Sequence, residues 1–254
     1  MAIKLYVVHG SHPCAAVERA FALKRLPFDV VELPVALHAA IQRVRFGVRT
    51  VPAVRWESGE KLSGSRAIMR RLEELAPQPA LYPADHDARE GVQRAEEWGD
   101  QVWQPMARRL LWQGFARAPR AMSSYQDGSR LPRVPMPLLL ALALVVTRVE
   151  GRLNDAGEAN VRADLRSLPG HLDRIDGWLQ DGVLGTDVPN AADLQIAATS
   201  RLMLTIGDVR PFFTGRPSEE HARRLFADWA GTTPAGAFPA EWLDRRGASA
   251  QAAA

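Results

Sequence analysis

Ser11, His12, Pro13 and Cys14 form a Ser-x-x-Cys run just behind the short apolar stretch Ile3 to Val8. Gly10 and Ser11 break that stretch, and the helical spacing of Val17, Ala20 and Phe21 follows. Ser11 therefore falls at a helix N-terminus, where free N–H groups and the positive dipole end stabilise an anion, a thiolate included. A hydroxyl there can donate to a bound thiolate and lower its pKa, or it can serve only as the helix cap. Cys14 is the single cysteine and sits in the first turn. It is either a nucleophile of depressed pKa or a small buried hydrophobe. Ser11 beside His12 does not make a hydrolase, because adjacent side chains rarely face each other and there is no Gly-x-Ser-x-Gly elbow. The histidines show no metal-ligand spacing.

Three more segments carry possible chemistry or capping. In Thr50-Val-Pro-Ala-Val54, Val51–Pro52 is a candidate cis peptide. A cis bond would offer the Val51 N–H and C=O to an extended ligand as an added strand; a trans proline at a strand start is the alternative. In Leu62-Ser-Gly-Ser-Arg-Ala-Ile68 a strand meets a helix start. Ser65 there either holds a carboxylate or is a plain cap. Asn190 and Asp193 have the spacing of a capping box, which is structural and carries no chemistry.

These segments need elements to position them. Phe28 to Val31 reads as a second strand and Val35 to Val44 as a weak helix. Ala53–Trp56 and Lys61–Leu62 read as a hairpin about Ser58-Gly59. Ser65 opens a helix with Ile68, Leu72 and Leu75 on its core face, which completes a β-α-β-α-β-β-α order. The prolines between Ala76 and Pro83 make a linker. Everything after it is helical. Trp98, Val102, Met106 and Leu110 recur every four residues, with Pro105 expected to kink that helix. Residues 117–135 read as a long loop. Leu138 to Leu153 is apolar, too short to span a bilayer, and reads as a buried core helix. Leu165, Leu168, Leu172, Ile175 and Leu179 form an amphipathic helix; further helices are expected over Asn190–Ile206 and Ser218–Ala230. The alanine-rich end reads as a disordered tail.

Composition agrees with a globular protein: 46% apolar, 24% charged and a net charge of +3. The cations are nearly all arginines, often beside acids, as in Arg89-Glu90. They read as solvated helix faces and not as a nucleic-acid stripe. A single cysteine excludes an intramolecular disulfide and favours a reducing compartment. Met1 to Val8 lacks signal-peptide features, so a cytoplasmic location is expected, with no membrane and no nucleic acid as partner.

Taken in order, Ser-x-x-Cys, Val51-Pro52, Ser65-Arg-Ala-Ile68, the proline-rich linker and the Asn190-x-x-Asp193 box resemble the cytosolic glutathione transferases, over nearly the whole chain. The resemblance implies a thioredoxin-like domain over 1–77, a linker over 78–86, an all-helical domain over 87–245 and a tail over 246–254. It implies a homodimer, pairing through the helix after Ser65 and the long helix after the linker. No resident cofactor is implied; glutathione, or a similar thiol, enters as co-substrate for conjugation to a hydrophobic electrophile in detoxification. Ser11 matches the catalytic serine of the zeta- and theta-like branches, and the first cysteine of the glutaredoxin Cys-x-x-Cys, with Cys14 at the second. Val51, Pro52, Ser65 and Arg66 match the glutathione site, and Trp103, Met106 and Trp112 are candidates for the apolar pocket, or for plain core packing. Gly64 departs from the pattern, for the family has an acid there to hold the γ-glutamyl amine. The expectation is weak glutathione binding that Gly64→Glu would tighten. The alternatives are a non-catalytic binding module and thiol–disulfide exchange through Cys14.

Overall fold

The computed structural model describes residues 2–243. The chain opens with β1 (Lys4–Val7), α1 (His12–Leu23), β2 (Asp29–Glu32), α2 (His38–Phe46), β3 (Ala53–Arg55), β4 (Lys61–Ser63) and α3 (Ser65–Leu75). The four strands lie in the order β2-β1-β3-β4. β1 pairs parallel with β2, which requires the crossover helix α1 between them. It pairs antiparallel with β3, and β4 closes the hairpin. β1 is apolar on both faces because both are covered. Leu5 and Val7 pack with α1 and α3, while Tyr6, Ala53 and Leu33 form a smaller cluster with Ile41 and Phe46 of α2. This is a thioredoxin-like domain. α2 starts three residues later than expected, because Pro34 to Leu37 form a turn first, and Gly47 at φ +76° ends it.

The remaining elements are helical. α4 (His86–Trp98) is capped by Asp85, whose Oδ1 accepts from the Ala88 N–H at 2.9 Å. A π-helical turn over Gly99–Trp103 leads into α5 (Gln104–Arg117). The irregularity falls just before Pro105, which has no N–H to continue the ladder. α6 (Met136–Leu153), α7 (Glu158–Gln180), α8 (Ala191–Met203), α9 (Arg210–Phe213) and α10 (Pro217–Leu225) complete the fold. α8 is buried almost throughout and packs against α1, α4, α5 and α10, so it is the post on which both halves of the chain rest. Its capping box is formed: Asn190 accepts from the Asp193 N–H, and Asp193 accepts from the Asn190 N–H, both at 3.0 Å.

Three expectations are corrected. α6 is not a buried core helix: it packs mainly on α5 and the 119–126 segment. Leu139, Ala143 and Thr147 are buried, while Leu138 (53%) and Val145 (60%) stay exposed. An apolar run shows that a helix can be buried, not how many neighbours it meets. The 117–135 loop contains 3₁₀ turns over Pro119–Gln126. The last expected helix, Ser218–Ala230, is shorter: α10 ends at Leu225, and the brief α9 precedes it. The tail expected over 246–254 lies outside the described residues.

Candidate active site

The sheet gathers the chemistry-bearing segments at one end. β1 runs towards Ser11, and β3 starts beside the end of β1, with Tyr6 opposite Ala53. Ser63, at the end of β4, is opposite that same Ala53. Ser11, Val51–Pro52 and Ser65 thus come off adjacent strand ends. The Val51–Pro52 bond is cis, as expected. The Pro52 carbonyl accepts from the Gly64 N–H at 3.0 Å.

Ser11 starts α1 at φ −74° and ψ 117°, but its side chain makes no capping bond. The backbone alone closes the first turn, through Ala15 N–H to the Ser11 carbonyl at 3.0 Å. The hydroxyl is half-buried and free of capping duty. Cys14 differs sharply: it is 1% exposed and part of the core of the α1 side. Burial pushes its thiol up to about 12, against the smaller opposing pull of the Ser11 hydroxyl and the Val8 backbone. A thiol in that state is protonated at neutral pH and is not a ready nucleophile. His12 is buried too, and burial, then the charge of Arg108, hold its imidazole neutral.

Ser65 is buried at the first turn of α3, where the helix leaves N–H groups unpaired. Gly64 before it lies at φ +93° and ψ 134°. A Cβ there would touch nothing within 4 Å, but L side chains rarely adopt that backbone. A Gly64→Glu side chain therefore carries a backbone cost that the sequence did not show. The Arg66 side chain turns towards α4, its guanidinium 3.6 Å from Glu96 and 3.8 Å from Glu97. Only its backbone stays near the Ser65 turn.

Glu96 is fully buried and ties the two halves together. It accepts from Tyr82 Oη at 2.9 Å and from Arg70 at 3.2 Å, and burial raises its carboxyl. Beside it a polar groove is lined by Arg66, Arg70, Glu90, Gln93, Arg94 and Glu97.

Trp103 and Met106 are corrected from pocket wall to core. Trp103 is completely buried and its Nε1 donates to Ser200 Oγ at 3.1 Å; Met106 is 2% exposed. The period of four marks a face that packs, and the packing partner is α8 itself. Trp112 is half-buried, edge-on to Phe115. What the sequence reading missed is the cover supplied by residues 127–130. His9 Nε2 donates to the Asp127 carbonyl at 2.8 Å, and the Glu32 carboxylate accepts from Ser129 Oγ and, at 2.8 Å, from the Arg130 N–H. Those partners are 97 or more positions apart, and no local pattern announces them. Among the described residues no group of three or more His, Cys, Asp or Glu could hold a metal ion, and no helix is long and apolar enough to cross a membrane.

Residues 5–80 match the family model of the glutathione S-transferase N-terminal domain. No curated protein matches the chain. Among solved structures, poplar glutathione transferase F1 is 18% identical over 90% of this chain and 93% of its own, with a TM-score of 0.62. Glutathione transferase F7 from Populus trichocarpa is 18% identical over 95% and 99%, with a TM-score of 0.60. Maleylacetoacetate isomerase from Anaeromyxobacter dehalogenans 2CP-1, solved with glutathione in its active site, is 21% identical over 96% of each chain, with a TM-score of 0.55. Residues 5–80 thus carry a glutathione S-transferase N-terminal domain, and the chain along its length is similar in fold to glutathione transferases.

Proposed function

We propose that this protein conjugates a low-molecular-weight thiol, glutathione in the first instance, to an electrophile with an apolar body. The carrying observation is that the Ser11 hydroxyl, unused as a cap, sits at the same sheet end as the cis Val51–Pro52 turn and the Ser65 helix start. In this reading the Val51 backbone pairs with the cysteinyl part of glutathione. Ser65 Oγ and the first N–H groups of α3 receive the γ-glutamyl carboxylate. Ser11 Oγ donates to the sulfur, which favours the thiolate. The thiol proton leaves to solvent, the sulfur forms a C–S bond to the electrophilic carbon, and a leaving group departs with the displaced electron pair. The isomerase with glutathione in its active site shares this fold and supports the choice of thiol. Trp112 is half-buried where Trp103 and Met106 are enclosed, so it is the one of the three offered to the electrophile. Thiol–disulfide exchange through Cys14 is disfavoured by its burial.

A homodimer belongs to the same reading, with the charged groove between α3 and α4 as the contact face. Its cations and anions alternate, so a two-fold copy can answer each with its opposite. Light scattering should give twice the chain mass at micromolar protein. The test of function is retention on glutathione-agarose together with turnover of glutathione and an activated aryl chloride. Retention with turnover supports transfer. Retention without turnover makes the protein a thiol-binding module, and neither result would remove glutathione from the account.

A further inference from the structure

Arg108 lies on α5, one helical turn before Trp112, and is half-buried. Its charge reaches His12, the residue after Ser11. Among the described residues its guanidinium makes no hydrogen bond and no ion pair. The other half-buried arginines of the helical region are engaged. Arg89 donates to the Pro83 carbonyl at 2.9 Å and Arg201 to that of Phe226 at 2.9 Å. Arg109 forks onto Asp164 at 2.6 and 2.7 Å, and Arg216 donates to Asp176 at 2.8 Å. The acid whose field helps Arg108 is Asp100, beyond ion-pair distance, while Arg109 adds a like charge. Burial consequently lowers the Arg108 pKa below the ordinary arginine value, where the pairing of Arg109 raises its own. Nearby, His12 Nε2 is buried without a hydrogen-bond partner.

A shielded guanidinium without a counter-charge is costly unless an anion completes it, and its planar fork suits a carboxylate. We infer that Arg108 is the anion-binding residue of the acceptor site, and that the electrophile carries a carboxylate beside its apolar reacting portion. The inference rests on the thiol-transfer reading, which sets the sulfur at Ser11. Arg108 lies one turn of α5 before Trp112, and its field reaches His12, the neighbour of Ser11.

The probes are 4-chloro-3-nitrobenzoate and its ethyl ester, which share the reacting carbon and differ in charge. Binding of each, without thiol, is measured by calorimetry on the native protein, Arg108→Gln and Arg108→Lys, with circular dichroism to confirm folding. Turnover of each with glutathione is measured in parallel. The native protein should bind the acid about tenfold more tightly than the ester, the scale of one charge-assisted pair. Arg108→Gln should abolish that preference and Arg108→Lys should keep part of it. An acid-to-ester ratio that is the same in native and Arg108→Gln protein overturns the inference, even if both compounds turn over. So does a rise in the pH midpoint of turnover that is equal for acid and ester, for Arg108 would then serve the thiolate. An acid preference that depends on Arg108, with neither compound turned over, upholds the anion site and removes the transfer reading instead.

Discussion

The Gly64 N–H and the Pro52 carbonyl are joined by a 3.0 Å hydrogen bond, so the cis-proline turn and the start of α3 move as one piece. Gly64 itself lies at φ +93°. Any side chain at 64 must take a backbone shape that costs about 1–3 kcal/mol. Gly64→Ala should therefore lower the unfolding free energy by that amount, seen in urea as a lower midpoint at unchanged slope. Gly64→Glu should be destabilised similarly and should not bind glutathione more tightly. A Gly64→Ala protein as stable as the native one would show that the turn relaxes freely.

Ser11 and Cys14 should separate in a rate assay. Under the transfer reading, Ser11→Ala loses a hydrogen bond to the thiolate, worth roughly 1.5–3 kcal/mol, or about tenfold to hundredfold in kcat/KM. Cys14→Ala should leave kcat/KM near the native value, because the thiol is enclosed in the core. If Cys14→Ala is the inactivating change and Ser11→Ala is silent, the roles given to the two residues must be exchanged.

Cys14 also predicts an alkaline signature. Its folded-state pKa is raised to about 12 by burial, whereas the unfolded thiol titrates at its ordinary value near 9. Below pH 9 both states hold the proton and the group adds no pH dependence. Between pH 9 and 12 the unfolded state releases it and the native state does not, so stability falls as pH rises. The slope from this group is about 1.4 kcal/mol per pH unit. Urea titrations from pH 8 upwards should show a steeper loss in the native protein than in Cys14→Ala. Parallel curves would mean that the thiol is open to solvent.

Asp193 should be among the costliest residues to remove. Its carboxylate accepts from the Asn190 N–H at 3.0 Å, the Gly185 N–H at 2.7 Å and His221 Nε2 at 2.7 Å. All of this lies at the start of α8, the helix both halves pack on. Asp193→Ala should cost about 3–5 kcal/mol, since it orphans several buried donors at once. Asn190→Ala should cost nearer 1–2 kcal/mol, as a cap does. Chemical denaturation of the two variants orders them, and equal losses would show that Asp193 acts only within the capping box.

The sequence by itself determined the elements whose causes are local. Pro77, Pro79 and Pro83 end the α/β part, since proline cannot continue a helix. Asn190 and Asp193 cap α8 because three residues separate them, and Ile68 and Leu72 face the core because four do. The order of Ser11, Val51–Pro52 and Ser65 was likewise enough to point to a glutathione S-transferase N-terminal domain. Tertiary structure decided what depends on partners distant in the chain. Periodicity could not tell that Trp103 and Met106 are enclosed while Leu138 and Val145 stay exposed, because a helix face records apolar character and not its neighbour. Glu32, His9 and the 127–130 segment come together only when the helical half folds back over the sheet. The same folding leaves Arg108 enclosed without a counter-ion: charge is written in a residue's type, but its pairing is fixed by where every other charge ends up.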